Sequence, residues 1–151
     1  MLFTRYIRPY LLSDMISADE ALLALRPVVD TEPTQADTPD QLHHHTLRPV
    51  LKLLNPRLLL LMADFSRDYR LPLATAAAPD QQRLVVELLQ RNARLQHTVI
   101  GMVCGLFTTA EYTLYRRQRS EINRRILELA RQRVATQLPE IVRLAALPDA
   151  V

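Results

Sequence analysis

Apolar residues recur three and four positions apart along most of the chain, the spacing that places them on one face of an α-helix. The longest such series, in which one member is polar, consists of Val85, Leu88, Asn92, Leu95, Val99, Met102 and Leu106. It predicts a helix at 81–104. A second series, which predicts a helix at 109–137, consists of Tyr115, Ile122, Ile126, Leu129 and Val134. The two helices are expected to form a long antiparallel hairpin, and no segment has a convincing strand pattern.

Before this hairpin, the pattern is interrupted by a polar stretch. Ser17 and Glu20 have the spacing of a capping box, so a helix is expected from 18 to about 26. Residues 31–46 contain two prolines and no apolar period, which predicts a polar linker or loop. A last short helix is expected at 140–147.

Two further helices are predicted between the linker and the hairpin. Thr46 can cap a short helix at 46–54. Asn55 followed by Pro56 is a strong signal for a new start, because Asn is a preferred cap and Pro suits the first helical position. The resulting helix, 56–69, is apolar nearly all round, and such helices are usually central and buried.

The composition fits one domain, 1–151, and only the distribution of charge along the chain adds to the prediction. The chain has 151 residues, of which 48% are hydrophobic and 23% charged, with a net charge of +3. Residues 1–46 carry three Arg against seven Asp or Glu, so the N-terminal third is acidic and the rest is basic. The single cysteine and the lack of a secretory signal favour the cytoplasm. The expected fold class is therefore an all-α helical bundle built on the hairpin, with shorter N-terminal helices.

The two glycines of the chain lie at the predicted corner of the hairpin. Gly105 is expected to end the first helix in a left-handed conformation, and Thr108 and Glu111 have capping-box spacing for the second. Gly101 falls inside the first helix, where a close approach of another helix would compensate for its low helix propensity. The uncharged run 95–110 is shorter than the roughly 20 residues needed to span a membrane, so no insertion is expected.

The second hairpin helix is rich in arginine. The candidate partner-binding residues are Arg116, Arg117, Arg119, Arg124, Arg125 and Arg131. These side chains could contact a protein partner or the acidic N-terminal segment, bind phosphates of a nucleic acid, or form a solvated face with helical ion pairs. The corner could also be a helix-turn-helix that reads DNA, although Glu111 falls where such motifs prefer an apolar residue.

No pattern in the sequence names a reaction, a cofactor or a metal. His43, His44 and His45 are consecutive and make a poor ready-made metal site, and the usual metal-ligand spacings are absent. Asp64 and Asp68 lie one helical turn apart, but such a pair more often marks the wet side of a helix. Cys104 and His97 lie about two turns apart on a helix, too far to touch, and a buried inert thiol is expected.

The sequence therefore predicts a non-enzymatic helical interaction protein: an adaptor or small structural subunit of a larger assembly. Its partner is expected to be another protein or a second copy of the chain. The alternative is a DNA- or RNA-associated regulator that uses the Arg-rich helix 109–137. Catalytic, cofactor-binding and metal-binding residues are expected to be absent.

Overall fold

The computed structural model describes residues 12–30 and 38–148, and in these ranges the chain is helical with no strand. The predicted all-α fold class is confirmed. The helices are α1 Leu12–Ala24, α2 Pro39–Leu42, α3 Arg48–Asp68, α4 Ala78–Arg91, α5 Ala93–Cys104, α6 Thr109–Arg117, α7 Arg119–Thr136 and α8 Leu138–Ala146. A π-helical turn, His43–Leu47, joins α2 to α3. No helix in the described ranges is long and apolar enough to cross a membrane.

Helix α3 lies at the centre and contacts α4, α5, α7 and α8. Its Leu58 and Met62 are fully buried, as expected for a helix that is apolar nearly all round. The predicted restart at Asn55 is wrong, because α3 runs through Pro56 without a break. A proline inside a helix leaves the carbonyl of the residue four positions earlier without its helical donor. That residue is Lys52, and both Lys52 and Pro56 are exposed, so water can reach the carbonyl.

Asn55 serves instead as a link between α3 and the turn before α8. Its Nδ2 donates to Gln137 Oε1 at 2.8 Å, and Gln137 Nε2 donates to Asn55 Oδ1 at 2.8 Å. Arg133 Nη1 also donates to Asn55 Oδ1 at 3.3 Å. Burial lowers the pKa of the Arg133 guanidinium, with a contribution from the charge of Arg48. The Asn55–Gln137 amide pair therefore connects the middle of α3 to the turn between α7 and α8.

The long hairpin is not confirmed in detail, because each of its two helices is broken. The first divides into α4 and α5 at Asn92, whose backbone is extended (φ −91°, ψ 103°). The Asn92 Oδ1 accepts a hydrogen bond from Leu95 N at 2.9 Å, which caps α5. Gln96 Nε2 donates to the carbonyls of Leu89 and Gln90 at the end of α4. The polar member of the apolar series thus marks a cap and not a helical position.

The second predicted helix, 109–137, divides into α6 and α7 at Gln118 (φ −132°, ψ 38°). Tyr115 and Asn123 connect the two pieces, since the Tyr115 hydroxyl donates to Asn123 Oδ1 at 2.9 Å. The Arg119 guanidinium lies 5.7 Å from the centroid of the Tyr115 ring. The apolar stripe of α7 packs as predicted, with Ile122, Ile126 and Val134 fully buried.

The N-terminal helices also differ from the sequence prediction. α1 begins at Leu12, so Ser17 lies inside the helix and is not its cap. The predicted linker 31–46 falls partly outside the described residues, at 31–37, but α2 and the π-helical turn occupy most of the remainder. Leu42 and Leu47 enter the core there, and this apolar burial favours helix over loop.

Thr46 is likewise not a helix cap, because it lies within the π-helical turn and is buried. The chain starts its helical run earlier, at Thr38 and Pro39. Thr38 Oγ1 accepts a hydrogen bond from Gln41 N at 3.2 Å, and Pro39 takes the first helical position. The hydroxyl of Thr46 is therefore available for a contact elsewhere in the fold.

Candidate functional site

The corner between α5 and α6 contains the predicted capping box. Thr108 Oγ1 accepts a hydrogen bond from Glu111 N at 3.3 Å, and Thr108 N donates to Glu111 Oε2 at 2.8 Å. The left-handed conformation predicted for Gly105 is wrong, because its φ is −63° and its ψ is −16°. Its amide donates to the Gly101 carbonyl at 2.9 Å, so the helix ends with ordinary right-handed geometry.

The close helix approach that would compensate for Gly101 is not present among the described residues. Gly101 is exposed, and a Cβ added to it would meet no atom of the described residues within 4 Å. Neither glycine has a positive φ. The four-residue spacing of the two glycines therefore does not reflect a packed helix pair in the structure.

Glu111 is the centre of a polar cluster that the sequence analysis missed. Arg26 donates from Nη1 to Glu111 Oε1 at 2.6 Å and from Nη2 to Oε2 at 2.7 Å. The Thr46 hydroxyl donates to Oε1 at 2.7 Å. The side chains of Arg26 and Glu111 are 7% and 18% exposed, so this bidentate ion pair is largely removed from water. The pair spans 85 residues of sequence, and no local pattern signals it.

The hydrogen bonds around Glu111 determine its protonation state. Burial acts to raise the pKa of its carboxyl group, but hydrogen bonds from Arg26, the Thr108 amide and the Thr46 hydroxyl outweigh burial. The pKa of Glu111 is lowered as a result. The carboxylate is therefore ionised at neutral pH and remains an acceptor for all of these donors.

Arg26 and Asp19, from the region around α1, bind backbone groups at the corner that the helices leave unpaired. Arg26 Nη2 donates to the Leu106 carbonyl at 2.8 Å, just after α5 ends. Asp19 Oδ1 accepts from Thr109 N at 3.0 Å, at the first residue of α6, where negative charge favours the helix dipole. The Arg26 cation therefore lies at the carbonyl end of α5, and the Asp19 anion lies at the amide end of α6.

A cleft of about 330 Å³ lies beside this ion pair. Its walls combine the polar groups of Arg26 and Glu111 with the apolar side chains of Leu23, Leu42 and Leu114. Arg26 Nε is buried and has no hydrogen-bond partner among the described residues. The cleft is therefore partly apolar, and its charged pair is already mutually neutralised.

Three of the six candidate arginines are occupied by carboxylates. Arg124 and Arg125 both bind Glu121, at 2.9 and 2.8 Å, and the pKa of Glu121 falls to about 2 because of hydrogen bonds from both. Arg125 also binds Asp40 of α2 at 2.7 Å, a contact between the acidic N-terminal third and the basic remainder. A separate pair joins Arg131 to Glu128 at 2.6 Å. These arginines are therefore paired within the chain, with glutamates of α7 and, for Arg125, also with Asp40 of α2.

The other three arginines lie around the end of α6 and the start of α7. Arg116 and Arg117 are exposed, and neither has a hydrogen bond or ion pair with any residue in the described part of the chain. Arg119 is also exposed and lies over the ring of Tyr115. Tyr112, one turn before Arg116, is 44% exposed. We call Tyr112, Arg116, Arg117 and Arg119 the α6 surface.

The remaining candidate residues do not come together as a reactive site. Asp64 binds Arg67 at 2.6 Å, and both Asp64 and Asp68 lie on the exposed side of α3. His97 is exposed and Cys104 half-buried, and burial raises the pKa of the Cys104 thiol. A raised pKa keeps the thiol protonated and therefore a weak nucleophile.

The consecutive histidines form part of the π-helical turn. The rings of His43 and His44 meet edge to face with centroids 5.0 Å apart, and burial lowers the pKa of His43. Within the described ranges, no group of three or more His, Cys, Asp or Glu side chains is placed to hold a metal ion.

No family model matches the chain, and neither a curated protein nor a solved structure matches it. The fold and the contacts at the corner define the chain as an all-α helical-bundle protein. Its function has to be inferred from its own surfaces.

Proposed function

We propose that this chain is a non-enzymatic interaction protein, an adaptor or small structural subunit, and that the α6 surface contacts a protein partner. The observation that carries this proposal is that Arg116 and Arg117 are exposed and lack any carboxylate partner within the described residues, beside the exposed Tyr112. Elsewhere on α7, Arg124 and Arg131 are already neutralised by glutamates. The α6 surface therefore carries unpaired positive charge that is available to bind an acidic partner.

The residue types support a protein partner of acidic character. Arginine and tyrosine are enriched at protein interfaces, because both combine large contact area with hydrogen-bonding groups. A guanidinium binds a carboxylate through two parallel hydrogen bonds, so Arg116 and Arg117 suit Asp or Glu side chains on the partner. Opposite charge also speeds the encounter of the two proteins, which makes the association sensitive to salt.

Affinity capture with paired variants tests the proposal. The full chain is tagged in the cells that make it, the lysate is treated with nuclease, and bound proteins are quantified by mass spectrometry. Arg116→Ala/Arg117→Ala should lose the specifically captured protein several-fold. Arg124→Ala/Arg131→Ala removes the same charge from arginines that are internally paired, so it should capture as wild type does.

Two results count against this function. One is that the Arg116→Ala/Arg117→Ala variant captures as much protein as wild type does, which would show that the α6 surface does not bind the partner. The other is the absence of any protein enriched over the tag alone, which would leave the assembly role without a partner. Circular dichroism of each variant checks that the helical fold is retained.

The alternative function, association with DNA or RNA, draws on the same unpaired cations. Lys and Arg contacts to phosphates release counterions, so such binding weakens steeply as salt increases. Gel shifts with duplex DNA and single-stranded RNA at two salt concentrations separate the alternatives. Binding at low salt that requires Arg116 and Arg117 would support the alternative, whereas no binding at low salt would exclude it.

A further inference from the structure

A cleft of about 200 Å³ lies between the first turn of α3 and the second half of α7. Each helix lines it with residues three or four positions apart, which share one helical face. The lining residues are Arg48 and Leu51 of α3 and Leu129, Gln132, Arg133 and Thr136 of α7. Two arginines from different helices therefore border the same cleft, together with two leucines that form its apolar part.

Neither arginine of this cleft is neutralised by a carboxylate of the described residues. Arg48 is exposed and has no hydrogen bond or ion pair in this part of the chain. Arg133 is half-buried, and its guanidinium makes one hydrogen bond, to the uncharged Asn55 at 3.3 Å. Glu128, one turn before Gln132 on α7, is already bound by Arg131 through two hydrogen bonds. The cleft therefore carries two positive charges without a counter-charge.

The two charges are close enough to affect each other. Burial lowers the pKa of the Arg133 guanidinium, and the positive charge of Arg48 lowers it further. Arginine nevertheless stays protonated at neutral pH, so the repulsion between the two groups persists in the folded chain. Groups perturbed by burial together with a nearby charge are concentrated at functional sites. An anion bound between the two guanidinium groups would replace this repulsion by attraction.

We propose that this cleft binds the phosphate group of a small phosphate monoester, with Arg48 and Arg133 as the residues that hold it. A phosphate monoester carries close to two negative charges at neutral pH and so matches both arginines, whereas a carboxylate carries one. Each planar guanidinium can donate two parallel hydrogen bonds to phosphate oxygens. The carbon part of the ester would contact Leu51 and Leu129.

The other polar side chains of the cleft already donate hydrogen bonds within α7. Gln132 Nε2 donates to Glu128 Oε1 at 3.1 Å, and the Thr136 hydroxyl donates to the Gln132 carbonyl at 3.1 Å. The guanidinium groups are therefore the main remaining donors. The volume suits a phosphate with a few carbon atoms, because pockets for drug-sized ligands measure about 300–1,000 Å³. The cleft shares no residue with the α6 surface, so this inference goes beyond the proposed function.

Titration of the isotope-labelled full chain with propyl phosphate, followed by NMR of the arginine side chains, tests the site. The ionic strength is held constant, so that screening of charges does not change during the titration. The signals of Arg48 and Arg133 should shift and saturate, whereas propanol, which lacks the phosphate, should leave them unchanged. Absence of a saturable shift at millimolar propyl phosphate would overturn the proposal.

Single substitutions test the two arginines separately. Arg48→Gln and Arg133→Gln should each weaken the binding of propyl phosphate by about tenfold or more, because each removes charge-assisted hydrogen bonds. The matched control is Arg57→Gln, at an exposed position of α3 nine residues after Arg48 and therefore on the opposite face of the helix. It removes the same charge and should bind as wild type does. Equal weakening by all three substitutions would contradict a site in the cleft.

Thermal unfolding separates a binding role of Arg48 from a structural one. In chloride, Arg48→Gln should be at least as stable as wild type, because it removes a like-charge repulsion and no hydrogen bond of the described residues. Propyl phosphate should raise the Tm of wild type, since a ligand that binds only the folded chain stabilises it, and should raise that of Arg48→Gln less. Equal increases in Tm for the two proteins would contradict the proposal.

Three other ligands test the chemical class. Inorganic phosphate should bind more weakly than propyl phosphate because it lacks the carbon part, and tighter binding would overturn the assignment to an ester. Acetate should bind at least about tenfold more weakly, since it has one charge to pair with two arginines, and equal affinity would overturn the assignment to phosphate. A phosphoserine peptide that binds more tightly than propyl phosphate would replace the small molecule by a phosphorylated protein.

Discussion

Glu111 combines two structural roles in one carboxylate. It completes the capping box at the start of α6, and it binds Arg26 from a segment 85 residues earlier in the chain. The first role follows from the local spacing of Thr108 and Glu111 and was predictable. The second depends on which segment the fold brings to the corner, and a single sequence carries no signal for that partner.

Gly101 is an exposed glycine inside a helix, and a side chain there has space within the described part of the chain. The residue lies in the last part of α5, and a Cβ there would meet no atom within 4 Å in the part of the chain that the structure describes. Gly101→Ala should therefore stabilise the protein by up to about 1 kcal/mol, because alanine has the higher helix propensity. Urea unfolding followed by circular dichroism measures the change.

Lys52→Ala is a control for this measurement, since it changes an exposed residue of α3 that is already a good helix former. It should change the free energy of unfolding little. A Gly101→Ala protein that is less stable than wild type would indicate that something packs against this position.

Among the helices, the positions of breaks were harder to predict than the helices themselves. Asn92 lies on the apolar series, and its spacing fits a continuous helix as well as a cap. The structure uses it as a cap, with the Leu95 amide as donor. At Gln118 no side chain caps the following helix, and no glycine or proline marks the break. The apolar period gave the buried faces but could not distinguish one long helix from two aligned ones.

Residues 12–30, here called the arm, contact the corner through Arg26 and Asp19, and this contact should depend on pH through Glu111. Because its pKa in the folded protein is lowered from 4.5, ionised Glu111 contributes stability above that pH. This stability is lost as the pH falls through the folded-state pKa. The arm should therefore detach in acid, and the NMR signals of the Arg26 guanidinium should report the loss.

The matched control for this titration is Glu111→Gln, which cannot ionise. Its Arg26 signals should resemble those of the acid form of the wild type already at neutral pH, and should change less with pH. Identical titrations of the two proteins would show that another acidic group controls the arm.

For the molecule as a whole, sequence predicted the fold class and the central helix, and failed on what joins its distant parts. The apolar run in α3 correctly indicated burial, because the core needs a helix that can face several neighbours. The Asn55–Gln137 pair and the Asp40–Arg125 pair connect segments far apart in sequence. The α6 surface is likewise defined only by the structure, in which ion pairs distinguish Arg124 and Arg131 from the other arginines.

Two neighbouring positions on α3 should respond very differently to truncation. Met62 is fully buried, whereas Leu60 is 50% exposed. Met62→Ala should destabilise the protein by about 2–5 kcal/mol, as large-to-small changes in packed cores do. Leu60→Ala should cost less than about 1 kcal/mol, since exposed sites leave little cavity. Equal losses measured by urea unfolding would contradict the central position of α3.

The amide pair between α3 and the turn before α8 has a consequence for alignment. α8 packs against α3, and apolar contact is non-directional, so paired polar groups define the alignment of the two helices more sharply than apolar contact does. The side chains of Asn55 and Gln137 each supply one donor and one acceptor to the other, and Arg133 adds a second donor. A slide of α8 by one turn would separate these part-buried groups, which cost free energy when unpaired. The pair therefore favours one alignment of α8 against α3.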